Sequence, residues 1–466
     1  MNNINSSLNL TNSADELAFQ NFSQLQAGDS RITSRTIQVA SQLYRNPQCK
    51  FSQAFPNKAE RKGAYRLVEN SALKPQALIK SICDNSFQII KAEKPPTVII
   101  PGDTSTISKK YWRKTKGLGA IGEKKSSGFF FHSSLWLSLE GVPRGLVDLQ
   151  LRTRPKTPKK DKDSWKHLPI EKKESYRWLL AMKRVVKNLP PETKAIFVND
   201  READIHEYFE MAFDLGASFV IRHNQDRRIE GETGKVREEL RQSTPIGSFT
   251  IHLPQNGHRK AQDVKVELQA KQVTFKLRKG GLAIHKNREP VTLWAMRVFG
   301  QAEGEDIDWT LYTDMPINSE KDAQEILRIY TSRWRCEDFH RTLKSGMKLE
   351  DNLFRIGSCL QRLLCLSAPM AVKLLEITYQ ARENPSTPIS QVVSPTEEKA
   401  IKLLAKEQTG KIPRKLTLKK AVEYIAFAGG WMGRKGDGKP GVQTLWAGWQ
   451  KVQFLCKFMQ ELEVCT

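Results

Sequence analysis

AIFVNDREADIHEYFEMAFDLGASFVIRH, residues 195–223, carries most of the architectural information. AIFVND, Ala195–Asp200, is a short continuous apolar run ending in an acid, the pattern of a buried strand. READIHEYFEMAFDLG, residues 201–216, has helical spacing and closes on Gly216, and ASFVIRH returns to a strand. Strand, helix and strand in so short a span predict an α/β layer fold. Upstream, residues 171–187, EKKESYRWLLAMKRVVK, have helical spacing. Gly128–Gly141 and Gly145–Thr153 read as two strands joined through Gly-Val-Pro-Arg at 141–144. Thr97–Ile100 (TVII) reads as another short strand, ended by the Pro101-Gly102 turn signal with Asp103 directly after it.

Downstream the rhythm changes. VKVELQA, QVTFKLR, VTLWAMRVF and DWTLYTD, all within 223–318, alternate or run β-branched between Gly, Asn and Lys turns, which predicts an inserted antiparallel β subdomain. Residues 319–346 read as one long helix, starting at a Ser319 cap with Glu320 in the first turn. Residues 385–415 look polar and loop-rich, holding Pro385, Pro388, Pro395 and Pro413. Residues 416–464 look helical around a Gly-rich break at 429–441, and residues 1–70 look helical and polar. In that first segment Arg31 and Arg35 share a helix face beside Ile32, Ile37, Val39 and Leu43. It reads either as a small helical cap or as a DNA-contacting domain.

The 466 residues carry Lys plus Arg 75 against Asp plus Glu 51, a net charge of +24. A compact fold with that surplus repels itself unless a polyanion sits against it, and nucleic acid is the first candidate. The basic residues recur in separate segments: Arg31 to Arg66, Lys109 to Lys125, and residues 151–174 with nine positive and four negative charges. Dispersed runs favour a long track of backbone contact. No stretch approaches the ~18 apolar residues of a spanning helix, which argues against an integral membrane role. Residues 1–16 have neither the basic start nor the apolar core of a signal peptide. Seven cysteines without a CxxC pair read as reduced thiols in a cytoplasm, and eight histidines offer no zinc-ligand spacing.

The acids name a chemistry. Asp103 and Asp200 are each expected at the C-terminal end of a buried strand, where open α/β sheets form ligand sites. Two acids on adjacent strands repel one another, and divalent cations relieve that cost. Two Mg²⁺ ions roughly 3.5–4 Å apart polarise a phosphodiester and activate a water. The long helix offers a third carboxylate. In YTSRWRCEDFHRTLKSG, Tyr330, Arg333, Glu337 and Lys344 project within an arc of roughly 60° at about 100° per residue. Ile329, Cys336, Leu343 and Met347 form an apolar stripe beside it. Glu337 suits a metal, while Arg333 and Lys344 suit phosphate. Asp338 points about 100° away and is the weaker ligand. Asp204 reads as a helix cap rather than a ligand, His132 as a satisfied core histidine, and Cys336 as inert packing.

GAYR (63–66), GDTSTIS (102–108), NDREADIHEY (199–208), FVIR (219–222), YTSRWRCEDFHRTLKSG (330–346) and the terminal GGWMG…LWAGWQ occur in order along the chain. Together they resemble bacterial cut-and-paste insertion-sequence transposases of the DDE class, with a Y-(2)-R-(3)-E-(6)-K signature, and particularly the transposon-five-type enzymes. The resemblance implies an RNase H-like core of mixed sheet and helices at 71–375, interrupted by the β insertion at about 223–318. It also implies a helical DNA-binding domain at 1–70 and a helical dimerisation domain at 376–466.

By motif, Asp103, Asp200 and Glu337 would be the catalytic triad, binding two Mg²⁺ ions for which Mn²⁺ substitutes. Tyr330, Arg333 and Lys344 would hold the DNA backbone near the cleaved end. Trp309, a packing residue on its own terms, would stack on a base flipped out during hairpin formation, and Arg222 would approach the same DNA. Arg31, Arg35 and Arg66 are the candidate contacts of the N-terminal domain. The partners implied are double-stranded DNA (the element's inverted repeats and a target) and a second copy of the chain, in the nucleoid of a bacterial cytoplasm. Competing readings are an RNase H-like nuclease without strand transfer and a non-catalytic DNA-binding relic; intact acids at all three positions argue against the relic.

Overall fold

The computed structural model describes residues 13–109, 114–122, 126–154, 168–253, 262–276, 290–434 and 437–465. Lys110, Arg113, Lys124, Lys125, most of the basic stretch (155–167) and the end of QVTFKLR lie outside the described residues. The first helices are α1 Ser13–Phe22, α2 Ser30–Arg45, α3 Lys58–Glu69 and α4 Pro75–Glu93. The middle of the chain holds α5 Tyr176–Asn188, α6 His206–Asp214, α7 Val236–Arg241, α8 Glu320–Thr331 and α9 Trp334–Arg341. The last are α10 Gly357–Glu383, α11 Pro395–Thr409, α12 Leu418–Ala428 and α13 Val442–Cys465. Strands β1 to β5 are Thr97–Lys109, Gly119–Ile121, Ser126–Leu137, Pro143–Arg152 and Lys194–Asn199. Strands β6 to β10 are Ser218–Arg222, Gly247–Leu253, Gln262–Thr274, Thr292–Ala302 and Glu305–Thr313. These fall into two compact units, one of Lys94–Asp103 and Thr157–Trp334, the other of Met1–Glu93, Thr104–Lys156 and Arg335–Thr466.

In the first of these units the strands run β1-β5-β6-β10-β9-β8-β7. β1, β5 and β6 are parallel and the rest antiparallel, the mixed sheet expected of an α/β core. Val98, Ile99, Ile100, Val198, Val220 and Ile221 are fully buried, as continuous apolar runs in parallel strands should be. The antiparallel insertion expected within 223–318 is present as β7 to β10, and it extends the core sheet, because β10 pairs directly with β6. VKVELQA and the start of QVTFKLR are one strand, β8; Lys271 between them is no turn signal and pairs with Ala295 of β9, as Gln272 does with Trp294. GSFTIHL supplies β7, which the alternation did not single out.

Three further expectations change here. β1 runs straight through Pro101-Gly102, so Asp103 lies inside a 13-residue strand rather than at its end. Proline's fixed φ of about −65° is compatible with extended backbone, Gly102 has no positive φ, and Thr104, Thr106 and Ile107 continue the β-branched run. What does stop at Pro101 is the ladder to β5. The helix after Asp200 begins later than read: Arg201–Ala203 is a 3₁₀ turn and α6 starts at His206. The long helix is broken. Thr331 and Ser332 donate their hydroxyls back to the Arg328 and Ile329 carbonyls, at 2.8 and 2.6 Å, and the Arg333 N–H closes on Tyr330 at 3.0 Å. The single face drawn through Tyr330, Arg333, Glu337 and Lys344 therefore does not carry across 331–334.

In the other unit the strand order is β2-β3-β1, with β4 also on β3, and α4 and α10 pack on β4. Phe129, Phe131, Leu135, Trp136 and Leu137 of β3 fill this core. α10 corrects the expectation that no stretch is apolar enough to span a membrane: by length and composition it is, yet 83% of its apolar window is buried inside the protein. Buried Arg362 on α10 donates to the carbonyls of Val68, at 2.7 Å, and Leu73, holding the end of α3. Residues 385–415 are less loop-rich than their prolines suggested. Pro395 opens α11 at its first turn, behind a Ser394–Glu397 capping box. α12 and α13 flank the Gly-rich break as read.

Candidate active site

Strand register aligns the sequence-predicted residues of the first unit. Thr97 pairs with Lys194 through Pro101 with Val198, where the ladder ends, two residues before Asp103 on one side and two before Asp200 on the other. Asn199 pairs with Ile221, which sets Asp200 level with Arg222. Arg222 in turn pairs with Leu311, two residues from Trp309 on β10. Asp200 follows the carboxyl end of β5, Arg222 ends β6 and Trp309 lies on the neighbouring antiparallel strand, while Asp103 lies within β1, two residues past the end of its pairing with β5.

Arg333 donates from Nη1 to Asp103 Oδ2 at 3.3 Å, their side chains only 13% and 15% exposed. Asp200 is half-buried, and its Oδ1 accepts the Glu202 N–H at 2.8 Å, which fixes the turn leaving β5. Arg222 donates to the Tyr330 hydroxyl; burial holds its guanidinium below the ordinary arginine range, and the like charges of Arg201 and Arg333 act in the same direction. Its Cζ lies 5.3 Å from the Trp309 ring centre. The Trp309 ring also meets Tyr330 at 6.0 Å and Trp334 at 6.5 Å, edge to face. Tyr330 is buried, while Trp309 keeps part of its surface open.

Asp204 does not cap α6. It is buried, accepts the Asn224 and Gln225 N–H groups at 2.7 and 3.2 Å, and takes the Arg227 Nε–H at 2.8 Å. That clip fastens the turn after Asp200 to the loop after β6. Alongside it, burial and then the Arg237 charge push His223 down to about 4. Arg237 Nε donates to His223 Nε2 at 3.0 Å, so the ring there is neutral.

In the other unit Glu337 is exposed in the first turn of α9, where the helix dipole favours an acid. Buried Cys336, Phe339 and His340 seat the helix, with His340 Nε2 2.9 Å from Ser133 Oγ and its ring 4.8 Å from Phe131. Asp338 accepts from the Tyr379 hydroxyl, a structural partner. Lys344 is half-buried in a π turn, Thr342–Gly346, closed by the Met347 N–H on the Thr342 carbonyl at 2.9 Å. His132 is buried with Nδ1 3.0 Å from Thr104 Oγ1, in keeping with a core role. Arg31, Arg35 and Arg66 are exposed on α2 and α3, and Arg31 pairs with Asp29 at 2.9 Å.

Three family models match the chain: Transposase DNA-binding over 14–73, Transposase DDE domain over 180–368 and Transposase Tn5 dimerisation domain over 370–460. The chain belongs to the Tn5-type DDE transposases. Its activity is DNA transposition, and its family works with divalent metal ions. The matched DDE segment of the transposase contains Asp200 and Glu337 and starts after Asp103.

Among the described residues no three His, Cys, Asp or Glu side chains are grouped so as to hold a metal ion. Asp103 and Asp200 lie in one unit of the transposase with Arg222, Trp309, Tyr330 and Arg333; Glu337 and Lys344 lie in the other. The donor chemistry nevertheless fits. The carboxylates of Asp103 and Asp200 offer hard oxygen ligands, which suit divalent cations. Three contributors escaped the sequence reading. Trp334 stands four residues after Tyr330, a spacing that was there to be read. Arg201, which acts through its charge on Arg222 and His223, and the Asp204–Arg227 clip, whose partners come from the loop after β6, carried no such signal.

Proposed function

We propose that this transposase cuts and pastes its own insertion sequence. It binds the element's inverted repeats as a homodimer, nicks each end, forms and reopens a hairpin, and joins the freed 3′-OH to target DNA in the nucleoid. The observation that carries the reading is Arg333 paired with Asp103 at 3.3 Å, beside the cluster of Arg222, Tyr330 and Trp309. Asp103, Asp200 and Glu337 would hold two Mg²⁺ ions, or Mn²⁺ in their place, which when bound activate water and stabilise charge developing on phosphate oxygens. Arg333 and Lys344 grip phosphate, Arg333 exchanging its present carboxylate partner for the stronger fork to a phosphate. Arg222 and the Tyr330 hydroxyl steady the backbone beside the partly open face of Trp309, which takes the flipped base. Arg31, Arg35 and Arg66 contact the end duplex. Every step is a phosphoryl transfer, so one set of acids serves all of them.

Exposed Phe454, Phe458 and Leu462, four residues apart on α13, offer the dimer face within the matched dimerisation segment. The decisive experiment is Glu337→Gln. Cleavage of a labelled element end should vanish while binding to that end stays within a few-fold; metal-dependent cleavage at the wild-type rate would remove Glu337 from the mechanism.

A further inference from the structure

KEQTGKIPRKLTLKK, residues 406–420, carries six Lys or Arg and one Glu. It covers the last turn of α11, the connecting loop and the first turn of α12. Lys406, Lys411, Arg414, Lys415 and Lys419 are exposed, and none has an acidic partner among the described residues; Lys420 pairs with Glu423 at 2.8 Å. The segment matched as DNA-binding likewise keeps Arg35, Lys62 and Arg66 exposed without an acidic partner among the described residues, while Arg31 and Arg45 there are paired with Asp29 and Asp15 at 2.9 and 2.5 Å.

The loop is also held in place. Gly410, at φ +74°, ends α11, and the Thr409 hydroxyl donates to Ala405 at 2.7 Å. The Ile389 N–H bonds the Leu416 carbonyl at 2.9 Å, and the Leu418 and Lys419 N–H groups bond Thr387 and Pro385 at 2.8 and 3.2 Å. Leu416 and Leu418 are buried beneath. Five unpaired cations on an anchored backbone repel one another, and a polyanion relieves that repulsion without first having to order the chain.

We propose that the α11–α12 loop is a second duplex-DNA contact, which holds sugar–phosphate backbone and reads no bases. It lies in a stretch matched only to dimerisation. Transposition brings two duplexes to one protein, the element's end and the target, and either presents this backbone chemistry. The proposal does not depend on the catalytic assignments, because its test needs no cleavage.

The test uses the full chain with Lys411→Ala, Arg414→Ala and Lys415→Ala combined. Binding is followed by fluorescence anisotropy across a salt series, on an arbitrary duplex and on one carrying the element's inverted repeat. Losing three phosphate contacts should take about 2.7 from the magnitude of the slope of log K against log salt, at ~0.9 per contact. Lys411→Arg with Lys415→Arg should keep the wild-type slope. Melting temperature and sedimentation should match wild type, since all three side chains are exposed and unpartnered. A reduced slope on either duplex supports the contact and names which one sits there. An unchanged slope on both overturns it, as does loss of the dimer with the slope intact, which would make the loop a protein contact.

Discussion

Trp309 is unusual for a strand tryptophan in what surrounds it. A guanidinium lies 5.3 Å from its ring centre, two aromatic edges flank it, and part of its surface stays open. Base stacking on such a ring is worth ~1–3 kcal/mol, on the order of ten- to a hundredfold in a step that needs it. Trp309→Ala should therefore lower hairpin yield by about that factor with first-strand nicking intact, and Trp309→Phe should recover part of the loss. Denaturing gels of end-labelled DNA separate the two products, and an unchanged hairpin fraction in the alanine variant would leave the ring as packing alone. Neighbouring His223 makes a separate prediction about pH. Burial and the charges of Arg237 and Arg201 outweigh the attraction of Asp204 and Asp226, bringing the ring from near 6.5 to about 4. Between those values the unfolded chain binds a proton that the native state refuses. Stability from this site is thus complete above about pH 6.5 and is lost as pH falls towards 4. Denaturant unfolding across that window should show a steeper loss in wild type than in His223→Gln; parallel curves would put the acid sensitivity elsewhere.

At the scale of elements, α12 and α13 meet backbone to backbone. A β-carbon on Gly448 would collide with the Ile425 carbonyl, and one on Gly429 with the Thr444 carbonyl. Gly448→Ala should cost about 1–3 kcal/mol in chemical denaturation, as overpacking typically does. Gly441→Ala, where a β-carbon meets open space, should stay within about half a kcal/mol. Equal effects at the two sites would mean that the crossing tolerates separation. No hydropathy pattern announces that contact, and the same limit governs what else was legible. Buried parallel strands such as Ala195–Asp200 were readable because both faces demand apolar side chains. The break at Ser332 was not, because hydroxyls back-bonding to carbonyls leave the helical period of the flanking residues intact. Pro101-Gly102 misled for the opposite reason: a strong local signal yielded to a strand whose ladder had already ended. The site shows the same division. Asp103, Asp200 and Glu337 were singled out as candidates by type and order, whereas the Arg333–Asp103 pair and the Asp204–Arg227 clip depend on register and loop path, which composition does not encode.

For the molecule as a whole, two associations respond to salt with opposite signs. Each chain carries +24, so bringing two copies together works against like charge, and screening eases the approach. Binding DNA releases counterions and weakens as salt rises. α13 has the shape such a pairing requires: Trp446, Trp449, Val452 and Cys456 are buried against the chain's own core, while Phe454, Phe458 and Leu462 stand 67%, 51% and 52% exposed. Burying each phenylalanine contributes roughly 1.5–3 kcal/mol, enough that two of them facing their symmetry mates decide whether a dimer forms. Phe454→Glu with Phe458→Glu should therefore give a monomer of wild-type melting temperature. Its affinity for a single element end should hold within a few-fold, and any product that needs two ends held together should disappear. Analytical ultracentrifugation of wild type should show the dimer strengthening from low to moderate salt over the range in which DNA affinity falls. A dimer that persisted in the double variant would move the interface off this helix, and one that weakened with salt would mean that charge complementarity rather than the apolar stripe holds it.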